Sequence, residues 1–360
     1  FLRAPAAASS RGSHLLREVV VAGQVAIAAW VLVAGALLVR TVVNLQSLEP
    51  GFDPEGLSVI ALDHAAGGVL AEPGEDRQLA AAVSRLEQND GILGATPLQM
   101  APLPGNGAWQ TILYKEGQTD ERAREENAYL FMEFVEPDFA SILHVPVIRG
   151  RVFDESDDES APSVLMVNQA AARIYWPGQS AVGQSVSTGF PGHEGEASTV
   201  IGVVGDTRYG DLTELKATVY FPVRQIGVFG ARYILVRASG MGVPLLDLTR
   251  EALRLEAPAY RATSVSSVLD RLAEPLIRPR FAALLLSVLA FTALLIAIAG
   301  VYSTMAFSVR SRRRELGVRA ACGGTPLDVG GLVLRRGLGI ALLGSLLGAA
   351  VAMASTELFA

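Results

Sequence analysis

The sequence predicts a membrane protein: an α-helical transmembrane bundle that carries a large α+β domain outside the cytoplasm. Three observations lead there. Half of the 360 residues are hydrophobic and only 18% are charged, and the mean hydropathy of +0.35 is too high for an average soluble protein. The excess sits in three windows free of formal charge, residues 19–39, 281–307 and 337–356, each long enough for the ~20 helical residues that cross a hydrocarbon core. Between the first two windows, residues 40–280 suffice to bury a core without disulfides.

Each window has a competing reading as a buried core helix, and the first also as a secretory leader. The first run is longer than the ~7–15 apolar residues of a leader and ends in RTVVNL rather than a small-residue cleavage site. Charge sets the orientation. Residues 1–18 carry Arg3, Arg11 and Arg17 against Glu18, and residues 308–336 carry seven arginines against Glu315 and Asp328. By the positive-inside rule both segments are cytoplasmic. Residues 40–280 hold 20 Lys+Arg and 32 Asp+Glu, a net of −12, which excludes a nucleic-acid surface and places an acidic domain on the outer side. The single cysteine, Cys322, falls in the cytoplasmic segment.

Within the outer domain, helix, turn and strand are predicted around LQSLEPGFDPEGLSVIALD, with the strand over 57–62, and an amphipathic helix over 75–88. Strand patterns recur at 109–115, 129–135, 163–168, 199–206, 217–223 and 232–238. Helical patterns interleave them at 137–144, 168–176, 244–256 and 265–274. Segments 101–107 and 154–162 read as loop tips or subdomain boundaries.

Several chemistries are weighed and set aside. GQSAVGQS, residues 178–185, has phosphate-loop spacing but places Gln184 where the lysine belongs, so it reads as a turn. IGVVGD, 201–206, lacks the third glycine of a dinucleotide fingerprint and reads as a strand ending in a turn. The acidic run DESDDES lacks the glycine and twelfth-position Glu of a calcium loop and reads as solvated. His14, His64, His144 and His193 form no metal or catalytic pattern, and His144 reads as packed or capping. No catalytic residue, cofactor or metal is expected. The spans contain no Asp, Glu, Lys or Arg, the residues that mark proton or ion paths. Gln24, Ser287 and Thr292 are candidates to link helices. GSLLG, with Gly344 and Gly348, permits close helix approach.

The basic segment VRSRRRELGVRAACGGTP, 309–326, predicts a short helix with Glu315 and Arg319 in the favourable i, i+4 order. Gly323-Gly324 supply a stop, and Thr325-Pro326 start a new helix. Such order fits a docking element for a cytoplasmic partner better than loose anchoring charges do. The segment resembles the cytoplasmic motif of MacB/FtsX-type ABC transporter permeases, R-x-R-E-I-G-I-R-x-A-L-G-A. The matching residues are Arg312, Arg314, Glu315, Leu316, Gly317, Val318, Arg319, Ala320 and Gly323, with Cys322 and Gly324 departing mildly. The exit from the first span, VEPDFASILHVPVIRGRVFDESD, APSVLMVNQAAARIYWPGQSAVGQSV and STVIGVVGDTRYGDL with VYFPV are similar to the family's extracytoplasmic core.

The resemblance implies a permease of the bacterial inner membrane, multi-pass and without a nucleotide-binding domain, that couples hydrolysis by a separate ABC ATPase subunit to motion of the outer domain. Arg312, Arg313, Arg314, Glu315, Leu316, Gly317, Arg319 and Gly323 are the implied coupling residues. It also implies a porter-like part with an inserted part, placed loosely at 95–195, and as partners a second permease unit and a periplasmic adaptor. The role would be efflux or export; a lipoprotein-release or cell-division regulator of the same superfamily is the alternative, and a transmembrane sensor a more distant one. Within the family the chain most resembles the duplicated acidobacterial-type permeases. Because the family unit has a fourth span and this sequence runs from Phe1 to Ala360 with three, a fragment is expected, with the second half of a tandem as one form of it. The expected organisation is a linker at 1–18, spans at 19–39, 281–307 and 337–356, the outer domain at 40–280 and the coupling segment at 308–336.

Overall fold

The computed structural model describes residues 8–64, 74–102, 109–188, 196–211, 214–226, 230–240, 242–311, 313, 318 and 326–358. In chain order the first elements are α1 (Ala8–Gln46), β1 (Leu57–His64), α2 (Glu75–Glu87), β2 (Ile92–Leu98), β3 (Gln110–Thr111), β4 (Leu113–Lys115) and α3 (Asp120–Glu126). There follow β5 (Leu130–Val135), α4 (Phe139–Leu143), β6 (Val147–Gly150), β7 (Val164–Asn168), α5 (Gln169–Tyr175), β8 (Ser185–Thr188) and β9 (Ala197–Val204). The last are β10 (Thr218–Pro222), α6 (Val223–Ile226), β11 (Tyr233–Ala238), α7 (Leu245–Glu256), β12 (Tyr260–Ser267), α8 (Val268–Ser311) and α9 (Pro326–Leu358). The chain divides into two compact units, one of Phe1–Gln46 with Leu276–Ala360 and one of Ser47–Pro275.

The second unit contains two sheets. The first is antiparallel, in the order β12-β1-β11-β2. With α2 between β1 and β2, and α7 between β11 and β12, it has the β-α-β-β-α-β order of a ferredoxin-like layer. Alternation explains its two faces. Ile234, Val236 and Ala238 of β11 pack with Leu79, Val83 and Leu86 of α2 and Leu253 of α7. Leu235 looks the other way, into a core shared with Phe139, Ile142 and Leu143 of α4.

The second sheet is inserted between β2 and β11. Its order is β3-β5-β10-β7-β9-β8-β4, with β6 on β9. The segment expected as one strand over 109–115 is divided at Ile112: β3 pairs with β5 and β4 pairs with β8. Both ends of the sheet are therefore held by one short stretch of chain, and the sheet curls round a core of Leu113, Leu130, Leu165, Val200 and Phe221. Tyr175 of α5 secures that stretch, accepting from Leu113 N at 3.2 Å and donating to Ala128 O at 2.6 Å. The insertion thus runs from β3 to α6, correcting the range 95–195: β2 belongs to the first sheet, whereas β9 and β10 complete the second.

Two sequence readings are sharpened. Residues 178–184 are a turn leading into β8, with Gly178 and Gly183 at positive φ. The acidic run is not wholly solvated: Asp157 is 4% exposed and receives two hydrogen bonds from Arg151 at 2.6 and 2.7 Å. Those bonds hold its carboxyl below the ordinary range. Among the described residues no group of His, Cys, Asp and Glu is arranged to hold a metal.

Glu133 lies in the middle of β5, in register with Tyr220 of β10. Its carboxyl makes no hydrogen bond or ion pair among the described residues, and burial pushes its pKa up from 4.5 to about 8. The folded chain therefore holds a proton that the unfolded chain releases, so stability falls as pH rises from 4.5 towards 8. Glu133→Gln should remove this slope, stabilising the protein at pH 8 by on the order of 2 kcal/mol with little change at pH 4.5. Thermal unfolding of the full chain in detergent at both pH values measures it; equal gains at both would contradict the assignment.

Candidate functional site

The resemblance points to the cytoplasmic segment. Arg313 is helical and exposed, as is Val318. Arg312, Arg314, Glu315, Leu316, Gly317, Arg319 and Gly323 lie outside the described residues, as do Cys322, Gly324 and His193. The helices that flank the segment are well defined. α8 ends at Ser311 and α9 begins at Pro326, where the sequence places a first-turn proline.

Among the described residues three helices are long and apolar enough to cross a membrane: Leu16–Gln46, Val268–Ser311 and Gly337–Ser355. α1 and α8 run antiparallel along a seam of mostly small residues. The buried positions Val21, Ala28, Gly35 and Val42 of α1 recur every seventh residue, as do Leu276, Ala283, Ala290 and Ala297 of α8, which is the period of a left-handed helix pair. Gly35 faces Leu286, and Gly300 faces Val21 and Gln24. Beyond the seam, the Arg17 guanidinium lies 4.2 Å from the Phe307 ring centre. At the other end the Gln46 amide oxygen, oriented towards its donors, accepts from Arg280 at 2.8 and 3.0 Å.

α9 packs on an adjacent face of α1, parallel to it. A Cβ on Gly344 would lie 2.7 Å from Val25 Cβ, and one on Gly348 would lie 2.8 Å from Ala29 Cβ and collide with the Ala26 carbonyl. Both glycines are therefore points of close helix approach. Trp30 Nε1 donates to Ser355 Oγ at 3.4 Å further along. Ser287 and Thr292, expected as links between helices, instead donate to Ala283 O and Leu289 O of their own helix. A hydroxyl in an apolar helix finds its nearest acceptor in the preceding turn.

In the outer unit one densely bonded point was not singled out by the sequence. Arg237 on β11 is 7% exposed. Its guanidinium donates to Ile142 O at 2.7 Å, Glu55 O at 2.6 Å, Asp53 O at 2.8 Å and Asp53 Oδ2 at 3.2 Å. His144, in the left-handed region at φ 55°, caps α4 and places Nδ1 3.1 Å from the same carboxylate. Asp53 N donates to Leu143 O at 3.0 Å. The Glu55 N–H, then His144 and Arg237, hold the Asp53 carboxyl below its usual value. Three segments meet here: the turn after α1, the first sheet and the end of α4 in the insertion. The available signal was a charged residue at an inward position of an otherwise apolar strand.

α8 also begins in this unit. Val268 is fully buried and Leu272 packs on the core shared with α4, while Arg271 Nε donates to Pro102 O at 2.9 Å. The helix is one element from there to Ser311, although Pro275 and Pro279 each remove a backbone donor.

The described residues thus comprise an α+β domain of two sheets and three helices of membrane-spanning length. Residues 26–243 match the MacB-like periplasmic core domain and residues 287–360 match the FtsX-like permease C-terminal domain; the chain belongs to the MacB/FtsX-type ABC permease family. It is similar to the pyoverdine export ATP-binding/permease protein PvdT of Pseudomonas putida, 25% identical over 241 residues, 60% of this chain and 34% of that protein. It is also similar to the macrolide export ATP-binding/permease protein MacB of Azoarcus sp., 27% identical over 225 residues, 60% and 33% of the two chains. The chain spans about a third of the length of these curated relatives. Among solved structures it resembles the periplasmic region of MacB from Actinobacillus actinomycetemcomitans, with 14% identity and a TM-score of 0.41 over 64% of this chain and 98% of that one. The protein is an inner-membrane protein with a large extracytoplasmic domain.

Three substitutions test these contacts. Arg237→Ala removes the guanidinium donor from three main-chain carbonyls and should destabilise the outer domain by about 3 kcal/mol, read from urea unfolding of the full chain in detergent. Gly348→Leu should cost about 1–3 kcal/mol by overpacking α9 on α1. Gly339→Ala, where an added methyl meets nothing within 4 Å, should be neutral or stabilising by up to about 1 kcal/mol. Equal thermal stability of the two glycine variants would rule out the close α1–α9 approach.

Proposed function

We propose that this chain is the permease part of an ABC transporter that works by mechanotransmission. A separate ATPase subunit hydrolyses ATP, two such subunits closing on each other move the cytoplasmic segment, and α1 and α8 carry that motion to the outer domain. Export is the role that the named functions of the relatives support. The reading also takes in a second permease unit, as a dimer or tandem half, and a periplasmic adaptor. The domain limits set out from the sequence belong to the same proposal.

One observation carries the mechanism. α8 is a single 44-residue helix, about 66 Å long at 1.5 Å per residue, whose first turns belong to the core of the outer unit and whose remainder is an apolar span. The spans offer no charged path for a solute, whereas a close-packed pair of helices suits the transfer of displacement. The coupling role falls to Arg312, Arg313, Arg314, Glu315, Leu316, Gly317, Arg319 and Gly323. In this reading Glu315 and Arg319 seat the ATPase, while Leu316 and Gly317 shape the contact.

The test uses the full chain reconstituted with its ATPase in proteoliposomes. Glu315→Ala with Arg319→Ala should leave membrane insertion intact and lower the stimulation of ATP hydrolysis by the permease at least about tenfold, the effect of losing roughly 1.4 kcal/mol of coupling. Unchanged stimulation, with outer-domain motion still following ATP, would refute the assignment.

A further inference from the structure

β12 is an edge of the first sheet, paired among the described residues with β1 alone. The ladder settles which of its backbone groups point outwards. Leu62 N donates to Arg232 O and Ala238 N to Gly56 O, so the even-numbered residues of β1 turn their backbone groups to β11 and the odd-numbered ones to β12. Val59, Ala61 and Asp63 stand opposite Ser266, Ser264 and Arg261. Tyr260, Ala262 and Val265 therefore direct their backbone groups away from the sheet. Between Ala262 and Ser264 the register shifts, leaving Thr263 as a bulge.

That edge borders a groove of about 740 Å³, with Arg250, Leu253 and Arg254 of α7 along its other side. Arg250 Nε donates to Ala262 O at 3.1 Å. Ala262 N–H and both backbone groups of Val265 are left without a partner among the described residues. Charge selects what can lie there. The groove is lined by three arginines, Arg250, Arg254 and Arg261, against Asp63, whereas residues 40–280 as a whole carry a net −12. The Arg261 guanidinium makes no ion pair among the described residues. Arg254 is held by Glu251 at 2.7 Å and Arg250 lies 3.8 Å from Asp247, with all four side chains more than half exposed. Surface pairs of that kind exchange readily for another carboxylate. A second copy of the edge would set the same arginines against these, and like charges across a strand pair repel.

We propose that this groove receives an extended acidic segment of another polypeptide, which adds to β12 as a further strand. Its main chain bonds Ala262 N–H and the two backbone groups of Val265, and its carboxylates meet the arginines. Alternation assigns the contacts. Tyr260 and Ala262 are buried in the core shared with α7, so alternate side chains of the added strand lie on the α7 side, beside Arg250 and Arg254. Those between them lie on the opposite face, with Arg261. About six residues at ~3.4 Å each cover the edge from Tyr260 to Val265. The bulge at Thr263 bends the edge, which suits a short segment rather than a long flush strand.

The experiment titrates the full chain in detergent with a fluorescein-labelled peptide of alternating Glu and Thr, reading anisotropy and amide hydrogen exchange. Binding should saturate and slow exchange within residues 260–266. Arg254→Glu with Arg261→Glu should weaken it at least about tenfold. Val265→Pro should do the same, because the ring removes an outward N–H at a position where a sheet edge admits proline. The peptide N-methylated at every residue keeps its charges but loses its strand bonds, and should also bind at least about tenfold more weakly. Arg77→Glu, an exposed arginine on α2, should leave binding unchanged. Absence of saturable binding, or equal binding by the double arginine variant, would overturn the proposal. Equal binding of the N-methylated peptide, or displacement by tripolyphosphate with exchange at 260–266 unaltered throughout, would show a small-anion site and overturn the strand. A dimer of the chain that dissociates with Val265→Pro would put a second copy there and overturn it as well.

Discussion

The outer unit is organised round one guanidinium. Burying Arg237 would be costly if its donors were idle, yet it makes four hydrogen bonds, three of them to main-chain carbonyls of the turn after α1 and the end of α4. Those carbonyls would be orphaned by any apolar replacement, so the site admits no simple hydrophobic substitute. Local geometry follows from it. Gly56 takes φ +70° where a side chain would run into the Ala238 carbonyl, beside the Ala238 N–H bond to Gly56 O. His144 turns into the left-handed region so that α4 can end against Asp53. One side chain thus decides where two sheets and the chain leaving α1 meet.

Much of this architecture is legible in the sequence because periodicity reports burial. β5, β7, β10 and β11 are mainly apolar and mainly buried, and each lies where its pattern puts it. The strands without a sequence signal are those that do not advertise a core face. β2 reads ILGATPL, with Gly94 and Pro97, and survives because it is an edge strand and because Ile142 lies 3.1 Å from where a Gly94 Cβ would stand. β12, YRATSVSS, is also at an edge and largely exposed. The Arg237 cluster is illegible for another reason: Asp53, Ile142 and Arg237 are separated by about ninety residues at each step, and spacing carries no information over such distances. The burial of Asp157 is hidden because its partner Arg151 lies before the acidic run. The coupling segment is the reverse case, recognisable by motif, with seven of its eight residues outside the described structure.

The membrane helices obey a different solvent. Outward positions such as Leu284, Leu285, Phe291 and Ile296 are exposed, as hydrocarbon surroundings require. Cohesion therefore has to come from close packing rather than from escape from water. The seven-residue recurrence of small side chains on α1 and α8, and the two glycines of α9, supply it. Hydroxyls of Ser287, Thr292 and Thr304 donate to carbonyls within α8. Gln24 is the exception. Its Oε1 is buried with no hydrogen-bond partner among the described residues, pressed against the surface left open by Gly300, and it makes this the most polar point of the seam.

The two prolines of α8 bear on its stiffness. A helix resists bending through its ladder of i to i−4 hydrogen bonds, and α8 lacks two of them, at Pro275 and Pro279, because proline has no N–H to give. The carbonyls of Arg271 and Pro275 are left without their usual donors. That stretch lies between the turns anchored by Val268 and Leu272 and the first small residue of the α1 seam, Ala283. The least stiff backbone of α8 therefore lies within residues 271–279.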